Sequence, residues 1–364
     1  MANTEPVFPW DRVASVPDYE VFDADLEHAC DDAVAVWGNT IGWPGRQEAM
    51  YRRYYLECPT GKPDMYFLRH RPSGRNVGTL GIGPRRVFWR GREIRAGALS
   101  HFCVTRQHRK LRPPMLLVKK AADACRGRYD ALYAMPGTAQ AAALGKLFGG
   151  APACFMSRRV KVLRPGKYFE HLLPRPLAAV AGGAAGFALR FRDGLRGGAQ
   201  GLIAEWSGRV DPRMAKLWRD SPRGEGWNAL RETDFLQWRL DGLPSRKRRY
   251  LLVRAGTGDP LLAWFACDTN YFDADILVVQ DYWATGGPEA LDHATIHALC
   301  NAVRQLGFAA VEVRVAAPDT TIAPWTRAGF VERNRFPIFV AWLDLSLAPG
   351  AGAAFHITDI DNDG

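Results

Sequence analysis

The sequence predicts an α/β protein of two tandem domains, each a mixed, mostly antiparallel sheet flanked by helices. One order of elements occurs twice, in full over residues 75–163 and in weaker form over 249–342. In both, strands lead into a loop, a helix, a short buried strand, a second helix and a closing strand. The 364 residues suffice for two sizeable cores. A stretch rich in Gly, Pro and Arg, with weak periodicity, separates the copies. A repeat of this length is a repeated domain, since solenoid units are far shorter. The expected division is an N-terminal domain at 1–165, a linker with helical pieces at 166–230, a C-terminal domain at 231–345 and a flexible acidic tail at 346–364.

Leu26, Ala29, Cys30, Ala33, Val34 and Trp37 recur at helical spacing, which predicts an amphipathic helix over 23–37. A second helix is expected over 47–56. Residues 65–70 and 77–83 read as strands, and 87–94 as a hairpin turning at Arg90-Gly91. Ala96 to Val104 forms the next strand. Pro113 and Pro114 suit the first turn of a helix, where missing amide hydrogens are tolerated. That helix runs to Gly127, and a short buried strand follows over 129–135. Thr138 caps a helix that stops at Gly149-Gly150, and 154–163 closes the copy. In the second copy, strands are expected at 250–254, 261–267 and 275–280, a helix at 288–306, a strand at 309–315, a helix at 320–327 and a strand at 336–343.

The net charge of +10 suits a solvated surface and also a preference for anionic ligands or membranes; it speaks to association, not fold. The seven cysteines are odd in number and contain no Cys-x-x-Cys pair. That argues for a reducing compartment, here the cytoplasm, and against a disulfide frame or zinc ribbon. Met1-Ala-Asn-Thr-Glu-Pro shows no basic region with an apolar core, so no secretory signal is expected. Residues 177–189 fall short of the roughly 20 apolar residues of a spanning helix. Their first reading is a packed or linker helix. The second is peripheral contact with an anionic membrane, favoured by the flanking Arg175, Arg190, Arg192 and Arg196.

Several segments resemble the GNAT (GCN5-related N-acetyltransferase) superfamily, and within it the tandem-GNAT proteins of bacterial exopolysaccharide and envelope biosynthesis. They are Tyr51-Arg-Arg-Tyr-Tyr-Leu-Glu-Cys-Pro-Thr-Gly61, Val77-Gly78 with Pro84, and Phe102-Cys-Val-Thr-Arg-Gln-His-Arg109 with Leu111-Arg-Pro-Pro114. Met135-Pro136, Phe235-Leu-Gln-Trp-Arg239 and Ala328-Gly-Phe330 complete the set. The resemblance implies two GNAT-like domains and an acyl-CoA-dependent N-acyltransferase. Acetyl-CoA or another acyl-CoA is the donor, and a small amine, such as an amino sugar or envelope precursor, is the acceptor.

The superfamily signature Arg/Gln-x-x-Gly-x-Gly/Ala grips pyrophosphate through amides at a helix start. Here Arg109 takes its first position, Arg112 that of the first glycine and Pro114 the last. Proline has no N–H to offer, so Arg109, Lys110 and Arg112 would hold phosphates by side chain. The donor site implied is Val104, Arg109, Lys110, Leu111, Arg112 and Met115. His101 stands where tandem relatives show an Asp, and can act as base near neutral pH; a hydrogen-bonded structural histidine is the competing reading. The usual acid, a Tyr, is replaced by Leu144, leaving Tyr133 and Tyr129 as candidates. Trp325 stands at the corresponding place in the second copy, whose nearest approach to the signature is Gly286-Gly287-Pro288. That copy is expected to be a degenerate partner that shapes the acceptor site.

Other motifs weigh less. His293 and His297 share a helix face but lack the Glu of His-Glu-x-x-His and a third ligand, so no metal is expected. Residues 359–364 begin like a calcium loop without its closing Glu. Ser245-Arg-Lys-Arg-Arg249 has no interleaved aromatics, so no nucleic-acid partner is expected. The glycines of 78–83 lie within a strand and make no dinucleotide fingerprint. A non-catalytic scaffold of this fold is the main alternative, and a Fem-type aminoacyl transferase the weaker one.

Overall fold

The computed structural model describes residues 9–38, 41, 45–110, 112–166, 174, 176–177, 180, 182–187, 201–242, 248–270, 273–350 and 353–362. Strand β1 (Tyr19–Asp23) precedes helix α1 (Cys30–Trp37). The first helix thus starts later than expected, because Tyr19–Asp23 pairs antiparallel with β2 (Asp64–His70). Between them lie α2 (Gln47–Tyr51) and a wider π-helical turn, Arg52–Leu56. The hairpin of β3 (Arg75–Trp89) and β4 (Arg92–Val104) turns at Arg90-Gly91, with positive φ at both residues, as a two-residue turn between twisted strands requires. Helix α3 (Arg112–Cys125), β5 (Ala131–Ala134), α4 (Ala139–Gly149) and β6 (Cys154–Val162) follow in the expected order. Thr138 caps α4 by accepting from the Ala141 amide at 3.1 Å.

The described part of 166–230 contains more than a linker: β7 (Ile203–Ser207), α5 (Pro212–Asp220) and β8 (Trp227–Ala229). Leu177, Val180 and Phe187 are exposed, and among the described residues no helix is long and apolar enough to cross a membrane. Helix α6 (Thr233–Leu236) runs into a second π-helical turn, Gln237–Asp241. Strands β9 (Arg249–Arg254), β10 (Leu261–Thr269) and β11 (Ile276–Ala284) lead to α7 (His293–Gln305), β12 (Ala310–Ala316), α8 (Asp319–Arg327) and β13 (Val331–Trp342). Residues 346–364 were expected to form a flexible tail. Instead β14 (Phe355–Thr358) and the turn Asp359–Asp361 are buried, because Phe355, Ile357 and Ile360 supply apolar side chains that the acidic residues around them mask in a composition-based reading.

Among the described residues the strands join one sheet, in the order β1-β2-β3-β4-β5-β13-β6-β12-β11-β10-β9-β7, with β8 and β14 off this path. The closing strands of the two copies are exchanged. β13 lies antiparallel to β5, with Phe339 opposite Ala134, and β6 lies antiparallel to β12, with Ala310 opposite Val162. β14 joins β12 and β8, and β8 joins β3, which closes the central strands into a ring.

The strand pairs that frame the functional region share one irregularity. Between β3 and β4 the register steps from Gly81–Ser100 to Thr79–Cys103, giving β4 one extra residue. Between β10 and β11 it steps from Ala266–Asp281 to Cys267–Val279, giving β11 one extra residue. Such bulges bend a strand away from its neighbour.

Candidate functional site

β4 runs parallel to β5 for only three paired residues, ending at Ala98 opposite Tyr133. β4 then continues through its bulge to Val104, so the two strands part and leave a wedge. His101 sits on the bulge with φ of +48°, in the left-handed region. That conformation costs a non-glycine residue of order 1 kcal/mol and persists where the surroundings over-determine it. The Thr79 hydroxyl donates to the His101 carbonyl at 2.8 Å, and the Trp37 indole donates to Thr79 at 3.0 Å.

The imidazole is 3% exposed. It stacks on Trp37 with ring centroids 4.7 Å apart and meets Tyr54 edge-on at 5.1 Å. Its Nδ1 shares hydrogen bonds with the Tyr55 hydroxyl at 2.8 Å and Ser100 Oγ at 3.2 Å. Gly81 makes that geometry possible, since a Cβ there would lie 2.0 Å from the Tyr55 hydroxyl. Nearby, burial pushes the Cys103 thiol up to about 11, opposed by Thr79, so it stays a thiol at neutral pH and is no nucleophile.

Arg239 links this cluster to the chain's last described turn. It donates to the Tyr54 hydroxyl, to the Ile360 carbonyl at 2.8 Å and to the Asn362 carbonyl. The two π-helical turns also grip each other. Trp238 donates to the Arg53 carbonyl at 2.7 Å, and Arg53 donates back to the Gln237 carbonyl at 3.1 Å.

At the far end of β4 lies the basic loop. Arg109 Nε donates to the Val104 carbonyl at 2.6 Å, pinning the loop to the strand end. Arg109, Lys110 and Arg112 are exposed, and among the described residues no carboxylate lies within ion-pair distance of any of them. Leu111 lies outside the described residues. Pro113 and Pro114 occupy the first turn of α3, so Arg112 and Met115 alone supply amide hydrogens there. The Met115 side chain is buried against the sheet with Val77, Leu80 and Val118.

Tyr133 does not join the His101 cluster. Its hydroxyl donates to the Asp361 carbonyl at 2.8 Å, and its ring meets Trp227 edge-on. Leu144 packs beside the first-copy core, and Trp325 is fully buried in the second. His293 and His297 do share a face, with ring centroids 4.5 Å apart; among the described residues no group of three His, Cys, Asp or Glu side chains is placed to hold a metal ion.

In the second copy β11 and β12 part after Val279 and Val313, but β14 fills the gap, pairing with β12 at Val315 and Ala316. Asp281, just past the β11 bulge, is fully buried and accepts two of the three hydrogen bonds of Arg231, at 2.8 and 2.9 Å; the third goes to the Ala229 carbonyl at 2.7 Å. Thr358 of β14 donates to the same carboxylate at 2.8 Å. Burial by itself would lower the Arg231 pKa; Asp281 and Asp361 outweigh it and hold the guanidinium charged. Burial pushes the Asp361 carboxyl up to about 6, with Arg231 opposing and Asp281 adding to the rise. Sequence reasoning pointed to the Tyr51–Tyr55 run and to Arg239 through the segments that hold them. It gave no sign of the C-terminal turn, whose acidic composition hid a buried role.

No family model matches the chain, and no curated protein matches it in sequence. Its fold does match solved structures. A GCN5-related N-acetyltransferase from Anabaena variabilis superposes with TM-score 0.61 at 10% identity, over 90% of this chain and 73% of that one. A probable N-acyltransferase from Enterococcus faecalis gives 0.58 at 9%, over 90% and 73%. N-myristoyltransferase of Saccharomyces cerevisiae, solved with bound myristoyl-CoA, gives 0.56 at 13%, over 92% and 86%. The bulged strand, the wedge beside it and the loop at its end therefore sit within the fold of GNAT-type acyltransferase structures.

Proposed function

We propose that this chain is an acyl-CoA-dependent N-acyltransferase with one donor site, in the wedge between β4 and β5. The observation that carries the reading is that wedge with its furnishings: a bulge in β4 where its pairing with β5 ends, and three exposed cations at the strand end with no carboxylate partner among the described residues. The strand past Ala98 offers backbone groups to the pantetheine and one amide to polarise the thioester. Arg109, Lys110 and Arg112 meet the pyrophosphate by side chain, Val104 and Leu111 border it, and the Met115 amide adds a donor. The acceptor nitrogen attacks the thioester carbon; the C–N bond forms, the C–S bond breaks, and the amine's proton passes to His101. Tyr133 is the candidate acid for the departing thiolate. Its proton already faces the Asp361 carbonyl, so it serves only when that turn shifts.

The two halves are read as tandem GNAT-like repeats. Matching bulges in β4 and β11, and the mutual grip of the two π-helical turns, support this. The second repeat is degenerate, because β14 fills its wedge and Asp281 is locked to Arg231. The acceptor is a small amine, with an amino sugar or envelope precursor the favoured class, and the site of action is the cytoplasm.

A thermal-shift measurement tests the donor site. Acetyl-CoA at 100 times its dissociation constant adds about 2.7 kcal/mol, and the double variant Arg109→Ala/Lys110→Ala loses most of that gain. No shift with acetyl-CoA or a long-chain acyl-CoA overturns the reading. The prolines of α3, which withhold amides from a pyrophosphate, favour a second one, a non-catalytic scaffold of the same fold, and a melting temperature indifferent to acyl-CoA would select it.

A further inference from the structure

Residues 176–177, 180 and 182–187 are helical, and their burial is the reverse of that of an ordinary surface helix. Such a helix turns its large apolar side chains to the core and its polar ones to water. Here Leu177, Val180 and Phe187 are 59%, 73% and 71% exposed. At about 3.6 residues per turn the three fall on one side, together with the exposed Gly183 and Ala184. Gly182 falls on the opposite side and is buried. It packs against Gly166, just past the end of β6; a Cβ at Gly182 would lie 2.4 Å from the Gly166 Cα. The described residues therefore pack inward through glycine and offer their largest side chains outward.

We propose that this face lies on an anionic phospholipid bilayer and is a peripheral membrane contact of the chain. The sequence around it specifies the charge of the partner. Residues 176–189 contain no charged side chain. Their flanks within 164–196 hold six cations, Arg164, Lys167, Arg175, Arg190, Arg192 and Arg196, against Glu170 and Asp193. An apolar face bounded by basic residues complements both layers of such a surface, the acyl chains and the phosphate headgroups above them. Fourteen neutral residues are too few for the roughly 20 of a spanning helix, so the contact runs along the surface. A second copy of the chain fits the face less well. Close helix pairing uses small residues at the contact, and Gly182 is already turned to Gly166. Two sets of basic flanks brought together would also repel. The inference is independent of the donor site, since none of these residues belongs to it.

Co-sedimentation of the intact protein tests it, with vesicles of phosphatidylcholine alone and of phosphatidylcholine mixed with phosphatidylglycerol. Binding to the mixed vesicles should exceed binding to the neutral ones about tenfold and fall as salt is added. Leu177→Ser/Val180→Ser removes apolar surface without changing charge. It should weaken binding to the mixed vesicles about tenfold and leave the melting temperature almost unmoved, because both side chains are exposed. Leu177→Phe/Val180→Leu enlarges the same face and should tighten binding, a gain that a damaged fold could not produce. No retention on the mixed vesicles, equal retention on both kinds, or retention indifferent to both double variants each overturns the proposal. So does a concentration-dependent dimer in sedimentation velocity that Leu177→Ser/Val180→Ser dissolves, which would assign the face to a second copy of the chain.

Discussion

At the scale of single residues, the His101 pocket depends on an absence. Gly81 leaves the space in which the Tyr55 hydroxyl reaches the imidazole. Gly81→Ala should expel that hydroxyl and cost about 1–3 kcal/mol by overpacking. Urea unfolding reads the loss, and the His101 ring resonances should shift with it. A second expectation concerns pH. Asp361 has its folded pKa raised from the usual 3.8 to about 6. A carboxyl shifted upward favours the folded state when protonated, so its contribution is complete below pH 3.8 and fades as pH rises through about 6. Relative to Asp361→Asn, the wild-type unfolding free energy should therefore fall across that window by about 1–3 kcal/mol. A difference that is flat, or that rises with pH, contradicts the environment described for this carboxyl. The places of His101 on a strand and of Arg109 in the loop after it were legible in the sequence. Their partners were not, because the left-handed turn at His101 and the reach of Arg239 to Tyr54 come from a bulge and a tertiary crossing that no local pattern encodes.

At the scale of elements, the donor site proposed above would divide the work of binding an anion between the charge of the basic loop and the backbone of α3. Arg109→Ala and Lys110→Ala should each weaken acyl-CoA binding about tenfold; Lys110→Ala should leave the unliganded melting point almost unmoved because its side chain is exposed, whereas Arg109→Ala also removes the bond to the Val104 carbonyl and should lower it. Pro114→Ala returns one amide to the helix start and should tighten binding. Calorimetry with acetyl-CoA separates these outcomes. Asp281→Ala should act on the opposite half: it strands Arg231 in the interior and should cost about 3–5 kcal/mol, read by denaturant unfolding. The order of elements was legible over 47–163 and 250–343, where helical and strand periodicities alternate clearly, and not over 166–230, where weak periodicity hid β7, α5 and β8. The partners of β6 and β13 were not. An apolar strand pattern specifies which face is buried, and is silent about which edge it joins.

At the scale of the whole molecule, the first and second halves of the chain are interlaced in space. Residues 1–165 alone lack β13 beside β5, and residues 231–345 alone lack β6 beside β12. Each fragment expressed by itself should be expanded and bind hydrophobic dyes, while the intact chain should unfold in a single transition by both far-UV and aromatic circular dichroism. Two separate transitions would show that the halves stand independently. The interlacing also sets a timetable for biogenesis. Ala131–Ala134 must wait for Phe339–Trp342, about 200 residues downstream, and contacts so remote in sequence slow folding. Until the last segment leaves the ribosome, β5 presents a raw hydrogen-bonding margin to its surroundings, a vulnerability that nascent-chain chaperones exist to cover.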